Sequence, residues 1–129
     1  MPSFIVEKSL NSVKTFWLEQ EKLIKEIHRI ASRVGQENQN ILKIILFGSL
    51  AERRGVPGSD ADIILILQKD DKPFIDRIPE WSEKIKINFP VEIFPYTEKE
   101  INNPIVQEAM KIAASICIYT NDRIIVEEL

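Results

Sequence analysis

The sequence contains few of the side chains that bind transition metals, since its 129 residues include one cysteine and one histidine. Cys117 alone cannot form an internal disulfide, which is compatible with a reducing cytoplasm. It lies in the apolar run 115–119, so we expect it to fill space in the core. His28 has no other histidine or cysteine close to it in sequence, which argues against a metal-binding role for it.

Basic charge and long apolar runs are also scarce. The chain has 17 Lys and Arg against 20 Asp and Glu residues, which gives a net charge of −3. Proteins that bind long nucleic acid usually present a basic face, so we expect a nucleotide, a small molecule or a protein as ligand instead. No segment approaches the roughly 18 apolar residues of a membrane span, and the N-terminus has no signal-peptide pattern. These observations predict a cytoplasmic protein without a membrane partner.

The length and composition predict one globular domain over residues 1–129. Within it we expect an N-terminal helix in residues 1–36 and a core in residues 37–129. The helix prediction rests on apolar residues that recur every three or four positions over 9–34, followed by Gly35 as a stop signal. These apolar residues are Val13, Phe16, Trp17, Ile24, Ile27, Ile30, Ala31 and Val34.

The sequence pattern of the rest of the chain predicts a sheet with helices packed on it. Two nearly continuous apolar runs, 41–47 and 60–67, predict strands whose two faces are both covered. A third strand is expected at 89–94, with Pro90 near its start or on an edge. The other predicted elements are helices 49–54, 74–87 (started or bent by Pro79) and 98–114 (opened by a Thr97–Glu100 capping box), and short strands 116–119 and 124–126. This order indicates an α/β or α+β fold with three core strands, short C-terminal strands and flanking helices.

The Gly48-Ser49 step, between the first core strand and a short helix, is a candidate phosphate site. Ser49 and Glu52 have the spacing of a capping box, and backbone N–H groups at a helix start carry partial positive charge. Gly48 has no side chain to keep a phosphate away from the backbone, and Arg53 could add charge. A capped helix without any ligand explains the same residues.

Asp60 and Asp62 form a candidate metal site at the start of the second core strand. Residues two apart in a strand point to the same face, so the two carboxylates stand side by side and repel each other. Mg²⁺ would offset that repulsion, because it prefers oxygen ligands and completes its shell with water and phosphate. The alternative is a pair of solvated acids at the end of a turn.

Glu92 is the third candidate, since it interrupts an apolar strand between Val91 and Ile93. A buried carboxylate without a partner is costly. If strand 89–94 lies beside strand 60–67, Glu92 can join the two aspartates in a cage for one or two divalent ions. An exposed edge strand with Glu92 in water is the alternative.

The segment GSLAERRGVPGSDADIILIL resembles the G-S-x(10)-D-x-D signature of the DNA polymerase beta-like nucleotidyltransferase superfamily, and most of all its minimal nucleotidyltransferase branch. Ten residues, Leu50 to Ser59, separate Ser49 from Asp60. PVEIFPYTEKEI at 90–101 is similar to the strand with the third acid and the following helix start in that branch. The resemblance covers roughly residues 40–120.

The resemblance implies a mixed sheet that binds a nucleoside triphosphate, by default ATP, with Mg²⁺ or Mn²⁺. Its nucleotide-binding residues would be Gly48, Ser49, Arg53 and Ser59. Asp60 and Asp62 would hold both metals, and Glu92 would help hold the catalytic metal and deprotonate the acceptor hydroxyl. That hydroxyl would attack the α-phosphate and release pyrophosphate. The third acid of the branch is more often aspartate, one methylene shorter than Glu92.

Three functions are compatible with these expectations. The first is an active nucleotidyltransferase with a protein or small-molecule acceptor; many members of the branch are antitoxins beside a small helical toxin, some of which they adenylylate. The second is a module that neutralises a partner by contact through the apolar stripe of 9–34, although such a stripe usually packs internally. The third is antibiotic modification, which the short chain disfavours. A homo- or hetero-oligomer is compatible with the first two.

Overall fold

A computed structural model describes residues 4–10, 13–55, 58–107 and 115–121 of the chain. These residues form two sheets, three helices and a further helical segment at 104–107. The strands are β1 (Ile5–Leu10), β2 (Val13–Leu18), β3 (Ile41–Phe47), β4 (Ala61–Leu67), β5 (Val91–Thr97) and β6 (Ser115–Thr120). The helices are α1 (Gln20–Glu37), α2 (Phe74–Lys84) and α3 (Glu98–Ile101). No helix in these ranges combines the length and the hydropathy needed to cross a membrane.

The main sheet has four strands in the order β5-β4-β3-β6. β4 pairs with β5 in parallel, whereas β3 is antiparallel to both of its neighbours. The mixed sheet and the three core strands are therefore confirmed, with strand ends within three residues of their predicted positions. β6 confirms the first of the two short C-terminal strands, and the second, 124–126, lies outside the described residues.

The long N-terminal helix predicted for 9–34 is wrong in its first half. Residues 13–18 form β2, which pairs antiparallel with β1 in a hairpin, and the helix begins only at Gln20. Val13, Thr15, Phe16 and Trp17 are β-branched or aromatic, and such residues favour a strand once a partner strand is present. The apolar spacing in this stretch fitted a helical period by coincidence.

The second half of the prediction is correct, because α1 carries a buried apolar stripe. Its buried side chains are Leu23, Ile24, Ile27, Ile30, Ala31 and Val34. They belong to the same core cluster as the inward residues of β3 and β4, such as Ile44, Ile63 and Leu65. The stripe is thus part of the domain's own core. It is not the docking surface that the binding-module hypothesis requires.

The helices after β4 and β5 follow the predicted order but not all of the predicted lengths. α2 begins after Pro73 and includes Pro79, and the Thr97–Glu100 capping box is present at the start of α3. The single helix expected over 98–114 is interrupted at 102–103 and helical again over 104–107. Proline is favoured in the first turn of a helix and disfavoured inside one, so Pro104 restarts a helix where the sequence pattern suggested continuation. Residues 108–114 lie outside the described ranges.

Cys117 differs from its prediction as well. Its side chain is exposed on β6, and its Sγ lies 3.1 Å from the Thr120 Oγ1. The apolar run around it is a sheet strand, and alternate residues of a strand point to opposite faces. Ile118, the next residue, is the buried one.

Arg77 of α2 connects three elements through buried hydrogen bonds. Its guanidinium donates to both carboxylate oxygens of Glu100, at 2.7 and 3.1 Å, and to the carbonyl oxygens of Lys72 and Pro95. Arg77 is 3% exposed, so a charge is buried here, and four hydrogen bonds and a counter-charge compensate for its burial. The Arg77 guanidinium lowers the pKa of Glu100, and the backbone N–H of Thr97 adds to this effect.

Glu100→Gln is expected to destabilise the fold by about 1–3 kcal/mol near neutral pH, because it leaves the buried Arg77 without its counter-charge. A carboxyl whose pKa is lower in the folded state stabilises the fold above its unfolded pKa, and this contribution is lost as the pH falls through the folded pKa. The difference between wild type and Glu100→Gln in urea unfolding should therefore shrink at about pH 3. Glu98→Gln, in the same turn but exposed, is the control. An equal difference at both pH values would contradict this account.

Candidate active site

Two of the three predicted acids are neighbours in the sheet. The parallel register of β4 and β5 places Asp62 beside Glu92, and the antiparallel register of β3 places Phe47 on the other side of Asp62. Directly paired residues share a sheet face, so both carboxylates stand on the face opposite α1. Asp60 precedes β4 by one residue and is exposed. The strand adjacency on which the three-acid hypothesis depended is therefore present.

The charges of these acids act on one another. Burial of the half-buried Asp62 raises its pKa above the usual value, and the charges of Glu92 and Asp60 and a hydrogen bond with Glu92 raise it further. Among the ion pairs between described residues, none involves these three acids. Negative charge is therefore concentrated at the start of β4 without a Lys or Arg from the described residues to balance it.

This donor set has the chemistry of a hard divalent cation site. Carboxylate oxygens are the ligands that Mg²⁺ and Mn²⁺ prefer, and a cation would offset the repulsion that raises the pKa of Asp62. Within the described ranges, no three Asp, Glu, His or Cys side chains are already grouped as a complete ligand set. The three acids therefore fit the metal by residue type and strand position.

Gly48 brings the end of β3 against the same acids. It has a φ of +79°, in the left-handed region that glycine adopts without strain. A Cβ at this position would collide with the Oδ2 of Asp62. The backbone that leaves β3 is thus packed on the Asp62 carboxylate, and a larger residue at position 48 would require that carboxylate to move.

Residues 48–55, which we call the 48–55 turn, do not form the predicted helix. Backbone N–H groups of Glu52, Arg53 and Arg54 donate to the carbonyl oxygens of residues 48, 50 and 49, at 2.8–3.1 Å. Glu52 pairs with Arg54, so the expected Ser49–Glu52 capping box is absent. The N–H groups of residues 49–51 donate none of the backbone hydrogen bonds found between described residues outside helices and strands. The predicted phosphate site thus lies on a turn and not at a helix start.

The predicted nucleotide-binding residues fall into two groups. Gly48, Ser49 and Ser59 lie together, since the Ser49 and Ser59 hydroxyl oxygens are 3.5 Å apart and Gly48 abuts Asp62. Arg53 points elsewhere, because its Nε donates to the Oε1 of Glu21 at 2.6 Å. Arg53 also has a φ of +59°, a conformation that costs a residue other than glycine about 1–2 kcal/mol.

Sequence reasoning missed two residues at this site, Gln20 and Glu21 in the first turn of α1. The Oε1 of Gln20 accepts the Gly55 N–H at 2.7 Å, and Glu21 pairs with Arg53. They are separated from their partners by 35 and 32 positions. No local pattern in the sequence indicates either contact.

An apolar cavity of about 230 Å³ lies next to the acids on the same sheet face. Its walls include Phe47, Ile64 and Phe94. Ile64 lies two residues after Asp62 in β4, and Phe94 lies two residues after Glu92 in β5. Phe47 and Phe94 meet edge to face with ring centroids 5.5 Å apart. Along the strands, the 48–55 turn, the carboxylates and the cavity therefore follow one another in line.

Comparison with known proteins supplies an independent assignment. The family model described as "Polymerase beta, Nucleotidyltransferase" matches residues 17–124. The chain is also 27% identical over 88 residues to a protein of Methanocaldococcus jannaschii named "Putative protein adenylyltransferase". That match covers 68% of this chain and 88% of the relative.

The fold is similar to the crystal structure of a "putative nucleotidyltransferase" from Sulfolobus solfataricus, with a TM-score of 0.59 and 20% sequence identity. The superposition covers 83% of this chain and 88% of that one. At this identity the likeness concerns the fold alone. The family match over residues 17–124 shows that the chain belongs to the polymerase beta nucleotidyltransferase family, which confirms the resemblance read from its sequence, and that it is a nucleotidyltransferase.

Proposed function

We propose that the chain transfers a nucleotide, AMP from ATP, to a hydroxyl of an acceptor at the site formed by Asp60, Asp62 and Glu92. The observation that carries the proposal is the register of β4 and β5, which sets Asp62 beside Glu92. The turn at Gly48 packs on the Asp62 carboxylate. A triphosphate seated on that turn would have its phosphates directly over the acids.

The proposed metal is Mg²⁺ or Mn²⁺, held by Asp60 and Asp62 with help from Glu92. When bound, it supplies charge neutralisation on the phosphates and favours the deprotonated acceptor oxygen. Gly48 and Ser49 bind the triphosphate through the backbone N–H groups of the turn, and the Ser59 hydroxyl lies beside that of Ser49.

The proposed reaction joins the acceptor oxygen to the α-phosphorus. The bond between the α-phosphorus and the oxygen that bridges to the β-phosphorus breaks, and pyrophosphate leaves. The hydroxyl proton passes to the Glu92 carboxylate, whose exposure leaves it open to an incoming acceptor. Asp62, enclosed by Gly48 and Phe47, is the less accessible of the two acids and suits a ligand role.

A protein is the acceptor that we favour over a small molecule. The Methanocaldococcus jannaschii relative is named as a protein adenylyltransferase, which supports both the adenylate and the protein acceptor. The net charge of −3 supports a protein partner over long nucleic acid. We further propose a small helical toxin as that partner, which would make this chain a cytoplasmic antitoxin, acting as a single domain.

Asp62→Asn and Glu92→Gln test the metal–triphosphate site. Each is expected to weaken Mg²⁺-dependent ATP binding at least about tenfold, equivalent to about 1.4 kcal/mol, because each removes a ligand charge. Isothermal titration calorimetry with and without EDTA measures the effect. Asp71→Asn, an exposed acid outside the site, should bind as the wild type does. Equal ATP affinity of the wild type with and without EDTA would contradict the proposed metal site.

Asp62→Asn is also expected to stabilise the metal-free chain near neutral pH. A carboxyl whose pKa is raised by folding costs stability as the pH rises from the unfolded pKa toward the folded pKa, and that cost persists above it. The variant should therefore melt at a higher temperature than the wild type near neutral pH, with the gap closing at about pH 3. Thermal melts in EDTA measure this, and a variant that melts below the wild type near neutral pH would contradict the raised pKa.

Gly48→Ala should lower both stability and ATP binding. Alanine at a φ of +79° is strained, and its Cβ would displace the Asp62 carboxylate. We expect a loss of about 1–3 kcal/mol in urea unfolding and at least about tenfold weaker ATP binding. Gly58→Ala is the matched control, because a Cβ there meets nothing within 4 Å. Equal behaviour of the two variants would show that Gly48 does not have the role assigned to it.

A further inference from the structure

We propose that Gln20 and Glu21, in the first turn of α1, are positioning residues that fix the shape of the 48–55 turn for the triphosphate. The proposal rests on the function proposed above. It concerns two side chains that touch neither the three acids nor Gly48 and Ser49 in any bond between described residues.

The 48–55 turn is closed by its own backbone bonds and is also contacted from outside by α1. The N–H groups of Arg54 and Arg53 donate to the carbonyl oxygens of Ser49 and Leu50, a pair of bonds that commonly ends a helical turn on a left-handed residue, here Arg53. Glycine usually occupies that position, and arginine still costs about 1–2 kcal/mol there because of its Cβ. Such strained residues persist where surrounding contacts hold them, and they cluster at functional sites.

The contacts that hold Arg53 come from its own guanidinium. Its Nε donates to the Oε1 of Glu21 at 2.6 Å, and its Nη1 donates to the Ala51 carbonyl oxygen at 3.0 Å. One side chain thus connects α1 to the middle of the turn. The sequence assigned Arg53 to the triphosphate, but in the structure its charge is already directed at Glu21.

A second contact fixes the end of the same turn. The Gly55 N–H donates to the Oε1 of Gln20 at 2.7 Å. Two consecutive residues of α1 therefore hold positions 53 and 55 of the turn. The next residues of α1 include buried Leu23, Ile24 and Ile27, which anchor the helix in the core. The 48–55 turn is therefore connected to the core through α1.

A positioning role and a stabilising role predict different results. The Arg53 and Glu21 side chains are 46% and 66% exposed, and exposed ion pairs contribute little to stability. A displaced turn would nevertheless move the N–H groups of residues 49–51 away from the phosphates, and small errors in placement are costly for binding. The expected signature is a loss of nucleotide affinity without a matching loss of stability.

The experiment compares Glu21→Ala and Gln20→Ala with wild type in calorimetric titrations of MgATP and, separately, of Mn²⁺ alone. We expect about 5- to 10-fold weaker MgATP binding, unchanged Mn²⁺ binding and a Tm within about 2 °C of the wild type. Glu21→Gln, which keeps the acceptor oxygen, should recover part of the affinity. Glu37→Ala is the matched control, because Glu37 forms an exposed pair with Arg33 on the same helix.

Arg53→Gly separates positioning from direct binding. Arg53→Gly removes the same contact as Glu21→Ala, and glycine adopts the φ of +59° without strain, so MgATP binding should weaken by no more than in Glu21→Ala and the double variant should show no further loss. If Arg53→Gly binds MgATP more weakly than Glu21→Ala and the two losses add in the double variant, Arg53 binds the triphosphate directly and the inference is wrong. Glu21→Ala that binds like the wild type would also overturn it. A wild-type chain that binds Mn²⁺ but no nucleotide would overturn the proposed function, and this inference with it.

Discussion

The repulsion among Asp60, Asp62 and Glu92 is the interaction around which this small domain is arranged. The parallel pairing of β4 with β5 brings Asp62 and Glu92 side by side, and burial makes ionisation of Asp62 harder still. A fold selected for stability alone would place apolar or oppositely charged residues there. The concentration of charge makes sense when a cation and the phosphates of a nucleotide complete the site.

Buried apolar contacts and a buried ion pair elsewhere in the fold offset the destabilising effect of these charges. β4 continues directly from the acids into Ile63, Leu65 and Leu67, which are among its least exposed residues. The same strand thus carries charge at its start, in the candidate site, and buried apolar side chains along the rest of its length. The bidentate Arg77–Glu100 pair ties α2 to the segment after β5, so that the edge strand bearing Glu92 is fixed at its far end.

Sequence reasoning predicted the parts of this architecture that depend on local patterns. The runs that form β3 and β4 were recognisable because they are apolar without interruption, and the Thr97–Glu100 capping box because it needs only two residues at fixed spacing. The adjacency of Asp62 and Glu92 was predicted on the condition that strand 89–94 lies beside strand 60–67, and the pairing of β4 with β5 meets that condition.

The sequence-based predictions were wrong where one local pattern is compatible with two different structures. The spacing of Val13, Phe16 and Trp17 suits a helix, but pairing with β1 makes them a strand. Ser49 and Glu52 have capping-box spacing, but the turn closes through other bonds and Glu52 pairs with Arg54. The contacts of Arg53 and Gly55 with α1 span more than thirty positions, and only the folded chain brings them together.

The central claim is that this site breaks the bond between the α- and β-phosphates of ATP and moves the nucleotide to an acceptor. The most direct measurement incubates the chain and Mg²⁺ with a lysate of its source cells, in parallel reactions with ATP labelled at the α-phosphate or at the γ-phosphate. The account predicts that the α-label becomes attached to a macromolecule, that the γ-label leaves in pyrophosphate, and that Asp62→Asn abolishes the attachment. Attachment of the γ-label instead, or equal attachment of the α-label by wild type and Asp62→Asn, would contradict it.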